Sequence, residues 1–145
     1  MNHMDFLWDL DDQRVVAAIR EAEARTSGEI RVYVSPVEAA DPVETAKAHF
    51  VRMGMTATRR RNGVLIFFAP ESRTFAVVGD EAAHDCVGGE AFWSEIVREM
   101  RRILVKHSPT DAVVFAIRQV ADALCDRFPR EFDDVNELPD QVERG

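Results

Sequence analysis

The sequence predicts an α/β domain with a mixed sheet, and three observations carry that prediction. One unbroken apolar run, Val64-Leu65-Ile66-Phe67-Phe68-Ala69, is too short for a helix and is β-branched or aromatic in character, which marks a central strand buried on both faces. Segments with apolar residues at helical spacing stand on both sides of it. The spacing between candidate strands then calls for one helical crossover followed by one hairpin.

In chain order, Val15, Val16, Ile19 and Ala22 recur at helical spacing between Asp11 or Asp12 and Arg25, with an acidic residue placed to cap the first turn. Thr26-Ser27-Gly28 breaks this helix. Residues 29–34 alternate Ile30, Val32 and Val34 against Glu29, Arg31 and Tyr33, the period of a first strand. Asp41-Pro42-Val43-Glu44 starts a second helix, with an Asp cap, Pro at the first helical position and Glu three residues after the cap; it runs to about Met53 and stops at Gly54. After the polar loop of residues 56–62 comes the central strand, and Pro70-Glu71-Ser72-Arg73 separates it from Thr74-Phe75-Ala76-Val77-Val78 closely enough for a hairpin. Residues 81–86 form a short helix. A long helix then buries Trp93, Ile96, Val97, Met100, Ile103 and Leu104, ends at Ser108-Pro109, and is followed by another from Thr110 or Asp111 that buries Val113, Val114, Ile117, Val120, Ala121 and Leu124.

A length of 145 residues suits one core. We read residues 1–130 as that domain and residues 131–145 as an acidic tail, extended or mobile. With 46% hydrophobic and 30% charged residues the composition is that of an ordinary globular protein, and a net charge of -8 opposes nucleic-acid binding. No apolar run approaches the roughly 20 residues of a membrane span, and the first residues are acidic where a secretory leader would be basic, so a cytoplasmic location is expected. Cys86 and Cys125 lack metal-ligand or redox spacing and are expected to be reduced packing residues.

The predicted crossover and hairpin bring Thr26-Ser27-Gly28-Glu29, Arg61-Asn62-Gly63 and Gly79-Asp80 to one end of the sheet. That end offers oxygen ligands from Glu29, Asn62 and Asp80, with Asp85 as a further candidate, the ligand chemistry of a divalent cation such as Ca²⁺ or Mg²⁺. Arg61 beside the metal could hold an anion, and a metal with an arginine is what hydrolysis of a phosphate ester needs. Asp80 and Arg61 are therefore the candidate catalytic residues. The same residues also serve plainer purposes: glycines at strand ends make turns, Asn62-Gly63 is turn chemistry, and Asp80 caps the helix after it. His84-Asp85 reads either as a base with its partner or as a solvated pair, Trp93 as core rather than ligand platform, and Arg59-Arg60-Arg61 as a solvated run or an anion contact. His3, His49, His84 and His107 show no metal-ligand spacing, and no GxSxG, Walker or GxGxxG pattern occurs.

Glu21-Ala22-Glu23 with Thr26-Ser27-Gly28-Glu29-Ile30-Arg31-Val32, then Arg61-Asn62-Gly63-Val64-Leu65-Ile66, Phe75-Ala76-Val77-Val78-Gly79-Asp80 and Phe92-Trp93 resemble, in order and spacing, the serial motifs of the TPM domain family over residues 13–129. Asp134-Val135-Asn136-Glu137-Leu138-Pro139-Asp140 is similar to the ending of its short, soluble bacterial members. The resemblance implies a three-layer α/β/α sandwich with a mixed central sheet. It also implies a range of functions: acid phosphatase activity, photosystem II repair, accessory roles with membrane proteins, and divalent-cation binding. Many relatives carry a signal peptide and a membrane segment that are not read here, so an envelope or photosynthetic role transfers poorly. Two further departures are Glu81-Ala82-Ala83, where relatives continue with a glycine and an aliphatic residue, and Lys106-His107-Ser108-Pro109-Thr110, which lacks glycine and aromatic character. The expected function is binding of a divalent cation with weak phosphomonoesterase activity; the alternative is a noncatalytic module whose acidic tail and helical faces meet a protein partner.

Overall fold

The computed structural model describes residues 10–130 and 141–145. They run α1 (Asp12–Glu23), β1 (Glu29–Val34), α2 (Pro42–Arg52), a 3-10 turn (Met55–Ala57), β2 (Gly63–Ala69), β3 (Thr74–Gly79), α3 (Glu81–Val87), α4 (Glu90–Lys106), α5 (Pro109–Leu124) and β4 (Val142–Arg144). Polar caps set the helix starts. Asp11, Asp41 and Ser108 accept hydrogen bonds from the backbone N–H groups of Arg14, Glu44 and Asp111 at 3.3, 3.2 and 3.1 Å, each satisfying an amide that a helix start otherwise leaves without a partner. Pro42 and Pro109 occupy the first helical positions. The last long helix thus begins at Pro109 itself, because Ser108 caps it, and not one or two residues later.

The sheet has the order β3-β2-β1-β4. β1 and β2 run parallel with α2 crossing between them, and β3 returns antiparallel to β2, the expected crossover and hairpin. Ile30, Val32, Val34, Val64, Ile66, Phe68, Phe75 and Val77 point to one face and pack with α1, α4 and α5. Tyr33, Leu65, Phe67, Ala76 and Val78 point to the other and meet Ala46 and Phe50 of α2, with Met55 beside them. Helices on both faces make the chain a three-layer α/β/α sandwich around a mixed sheet. All seven residues of β2 are buried, as its apolar run requires.

β1 departs from its alternating pattern, since all six of its residues are buried, Glu29 and Arg31 included. At its C-terminal half β4 contributes, pairing in parallel with Val32, Tyr33 and Val34 and setting Glu143 against Arg31. The end of the segment read as a tail is therefore extended and joined to the sheet. Arg144 adds a 2.6 Å ion pair to Asp12, and Gly145 N–H donates to Val34 C=O at 3.2 Å. The rest of that tail, residues 131–140 with the family-like ending, lies outside the described residues, as do residues 1–9. Of the α1 positions, Val15, Ile19 and Ala22 are buried together with Ala18, while Val16 is only partly covered. Cys86 and Cys125 are free. Among the described residues no helix is long and apolar enough to cross a membrane.

Candidate functional site

Register places the three predicted loops together. Glu29 pairs with Gly63, Gly79 pairs with Val64, and Asp80 N–H donates to Gly63 C=O at 2.8 Å. The first loop is fastened to the end of α5: the buried Thr26 hydroxyl donates to Phe128 C=O and accepts from Gly28 N–H, and Ser27 N–H donates to the same carbonyl at 2.8 Å. Ser27 Oγ in turn accepts from Arg60 Nη1 at 3.2 Å and from Asn62 Nδ2 at 3.5 Å, joining the first loop to the second. Sequence reasoning placed Ser27 in the loop that breaks the first helix and reaches this end of the sheet, but gave it no role of its own; its position two residues before Glu29, opposite the basic run, is the signal that it bridges the loops.

The second and third loops meet through Arg61 and Asp80. Arg61 Nε and Nη2 donate to Asp80 Oδ2 and Oδ1 at 2.7 and 3.0 Å, a two-bond fork. Asp80 Oδ1 also accepts from Glu81 N–H at 2.8 Å, so this carboxylate caps α3 as expected. Arg61 C=O accepts from Ala82 N–H at 3.0 Å, and its φ of 52° lies in the left-handed region. The Asp80 side chain is 6% exposed and that of Arg61 43%. The hydrogen bonds to Asp80 hold the Arg61 guanidinium above its ordinary pKa against the opposing effect of burial, and the charges of Asp80 and Glu81 add to the rise. The carboxylate is therefore buried beneath its partner, and the guanidinium is the accessible half of the pair.

The glycines at the three strand ends have negative φ, so turn conformation does not require them. They are set by close approach instead: a Cβ would stand 2.8 Å from Leu124 Cδ1 at Gly28, 3.2 Å from Met55 C=O at Gly63 and 2.6 Å from Trp93 Cζ2 at Gly79. Trp93 is buried in the core, as expected, and its indole N–H donates to His84 Nδ1 at 3.0 Å. That bond puts the proton of neutral His84 on Nε2 and ties the ring to the core.

Glu29, Asn62 and Asp80 are 6%, 1% and 7% exposed as whole residues at this end. Asp85 is exposed in the second turn of α3, and among the described residues no three His, Cys, Asp or Glu side chains gather as a metal would need. The side chains that register brings to this end, two carboxylates and an amide, suit a hard cation in kind. In number they leave most coordination positions to water. Ala83, in the segment where the resemblance led to the expectation of a glycine, is fully buried, with its Cβ beside Gly79.

The family model described as TPM domain matches residues 1–123. Among solved structures the chain is similar to the protein BA42 from the psychrophilic bacterium Bizionia argentinensis, with 34% identity over 92% of each chain and a TM-score of 0.82. It also shares its fold with the N-terminal domain of a protein from P. gingivalis, at 11% identity over 77% of this chain and 72% of that one, with a TM-score of 0.64. A comparison with curated proteins finds no match.

Proposed function

Because this chain belongs to the TPM domain family, we propose that Glu29, Asn62 and Asp80 hold a Ca²⁺ or Mg²⁺ ion weakly at the loop end, and that Arg61 beside them supports slow hydrolysis of phosphate monoesters. The observation that carries this reading is the Arg61–Asp80 fork: a buried carboxylate covered by a half-exposed guanidinium at the point where three strand ends meet. A bound divalent cation supplies charge neutralisation at a phosphoryl oxygen and lowers the pKa of its water. Asp80, turning its carboxylate from Arg61, supplies the anionic ligand; Asn62 and Glu29 supply neighbouring oxygens. Arg61 then presents Nε and Nη2 to the phosphate in the fork geometry it now offers Asp80. Ser27 Oγ is held as an acceptor by Arg60 and Asn62, which orients it without activating it, so water is the attacking group.

The reading makes Arg61 a competitor of the cation for Asp80, and that sets the test. Ca²⁺ or Mg²⁺ is titrated into the protein while backbone amides and thermal stability are followed, with phosphate release from a phosphomonoester measured in parallel. Affinity in the range of about 0.1–1 mM is expected, as for weak oxygen-ligand sites, and an ion at ten times its dissociation constant stabilises by about 1.4 kcal/mol. Asp80→Asn abolishes both signals, whereas Arg61→Gln strengthens ion binding and loses hydrolysis. Absence of amide shifts at this end and of phosphate release above the Asp80→Asn level would sink the proposal.

A further inference from the structure

We infer that the outer edge of β1 is a strand-docking site for an extended segment that carries a carboxylate, and that residues 142–145 occupy it as a replaceable ligand. β4 pairs with Val32, Tyr33 and Val34 alone, so the N-terminal half of that edge takes no pairing from it. Arg31, one strand position before this pairing begins, is 5% exposed, and its Nη2 donates to Glu143 on β4. Among the described residues its buried Nε has no hydrogen-bond partner. The resident strand thus satisfies the guanidinium through one nitrogen, where a carboxylate set squarely on the fork would engage two.

Among the described residues the strand is short, with three ladder positions and one apolar side chain, Val142, packed against the core. The Arg144–Asp12 ion pair lies at a rim where the two side chains are 39% and 52% exposed, a setting in which such pairs contribute little. Gly145 N–H to Val34 C=O is a single bond. Docking is therefore decided by whether the arriving strand neutralises Arg31; without a carboxylate the edge opens and returns Arg31 to water. The partner this surface fits is an extended segment adding to the sheet by main-chain pairing, with Glu or Asp at the register opposite Tyr33, where Glu143 now stands. A tethered strand competes at an effective concentration of about millimolar, so the chain's own segment excludes weak ligands and yields to those that engage Nε as well. This inference is independent of the loop-end site.

The test uses the full chain and an acetylated peptide with the sequence of residues 141–145, followed through the amides of residues 31–35. The Glu143→Gln chain is expected to bind the peptide at least about tenfold more tightly than the unaltered chain, since its own strand no longer competes, and to lose about tenfold when the peptide carries the same Glu143→Gln change. In Arg31→Met the two peptides bind alike. A second measurement needs no variant: in the unaltered chain the Gly145 amide exchanges with solvent much faster than the amides of β2. Equal binding of both peptides to the Glu143→Gln chain, or a Gly145 amide as protected as that of Ile66, overturns the inference. Concentration-dependent dimers of the Glu143→Gln chain, with no peptide binding, overturn it in favour of strand exchange between copies.

Discussion

The Asp80 carboxylate does two jobs at once, receiving the Arg61 fork at 2.7 and 3.0 Å and capping α3 through Glu81 N–H at 2.8 Å. Asp80→Ala removes both and is expected to cost about 1–2 kcal/mol, most of it the lost cap, because the exposed side of Arg61 is screened by water. Asp80→Asn keeps a capping oxygen and costs less. Urea unfolding of the two variants measures the difference.

Gly79 admits the Trp93 ring against the end of β3. In Gly79→Ala the new methyl meets Trp93 Cζ2 at 2.6 Å and Ala83 Cβ at 3.3 Å, and overpacking of this kind costs about 1–3 kcal/mol. A second change, Trp93→Phe, should recover part of the loss in the double variant although it is destabilising alone. Thermal midpoints of the four proteins in this cycle give the coupling.

Thr26→Val keeps shape and removes a hydroxyl. Phe128 C=O retains Ser27 N–H as donor, but the buried Gly28 N–H loses Oγ1, and a buried amide without its partner costs about 1–3 kcal/mol. Hydrogen exchange near Gly28 and Phe128 should accelerate before that of β2.

His49 stacks on Tyr33 with ring centroids 4.2 Å apart, and burial first, then the charge of Arg52, lowers its pKa from the ordinary 6.5. The unfolded chain therefore takes up this proton more readily than the folded one. The sign follows: the contribution is fully present above 6.5 and is lost as pH falls through the lowered folded value. Asp111, held below its ordinary pKa by Arg14 and then by Ser108, loses its own contribution at lower pH in the same direction. In His49→Phe the stack remains and the decline of stability just below pH 6.5 is shallower, which chemical denaturation across that range tests.

Most of the fold was legible because local signals and burial agreed. The run from Val64 to Ala69 could be satisfied only between two covered faces, and Asp41 and Asp80 announced their helices through caps that need no tertiary partner, whereas Ser108 read as the end of one helix and proved to be the cap of the next. β4 was not legible: Val142, Glu143 and Arg144 carry no strand pattern, and what places them is the Arg31–Glu143 pairing across more than a hundred residues. The same strand accounts for the covered Arg31, which the alternating pattern of β1 places at an exposed position. At the loop end, topology correctly brought Glu29, Asn62 and Asp80 into one region. It did not show that Arg61 closes onto Asp80, since that depends on a left-handed residue within a loop. Nor did it separate Asp85, whose place in the second turn of α3 takes it out to solvent. Gly28, Gly63 and Gly79 read as turn residues because a sequence records a missing side chain without recording what fills the space.

The bonds that tie Asp11 to Thr110, Thr26 to Phe128 and Arg31 to Glu143 join opposite ends of the described chain. Their consequence is one of timing. β1 is made early but waits for its neighbours, first β2, then the turn after α5, and last β4. Loops of such length close slowly, and native structure built from distant pairings forms late. Until residues 142–144 have been synthesised, the outer edge of Val32, Tyr33 and Val34 has no β4 to pair with, and an unpaired strand edge is where wrong pairings begin.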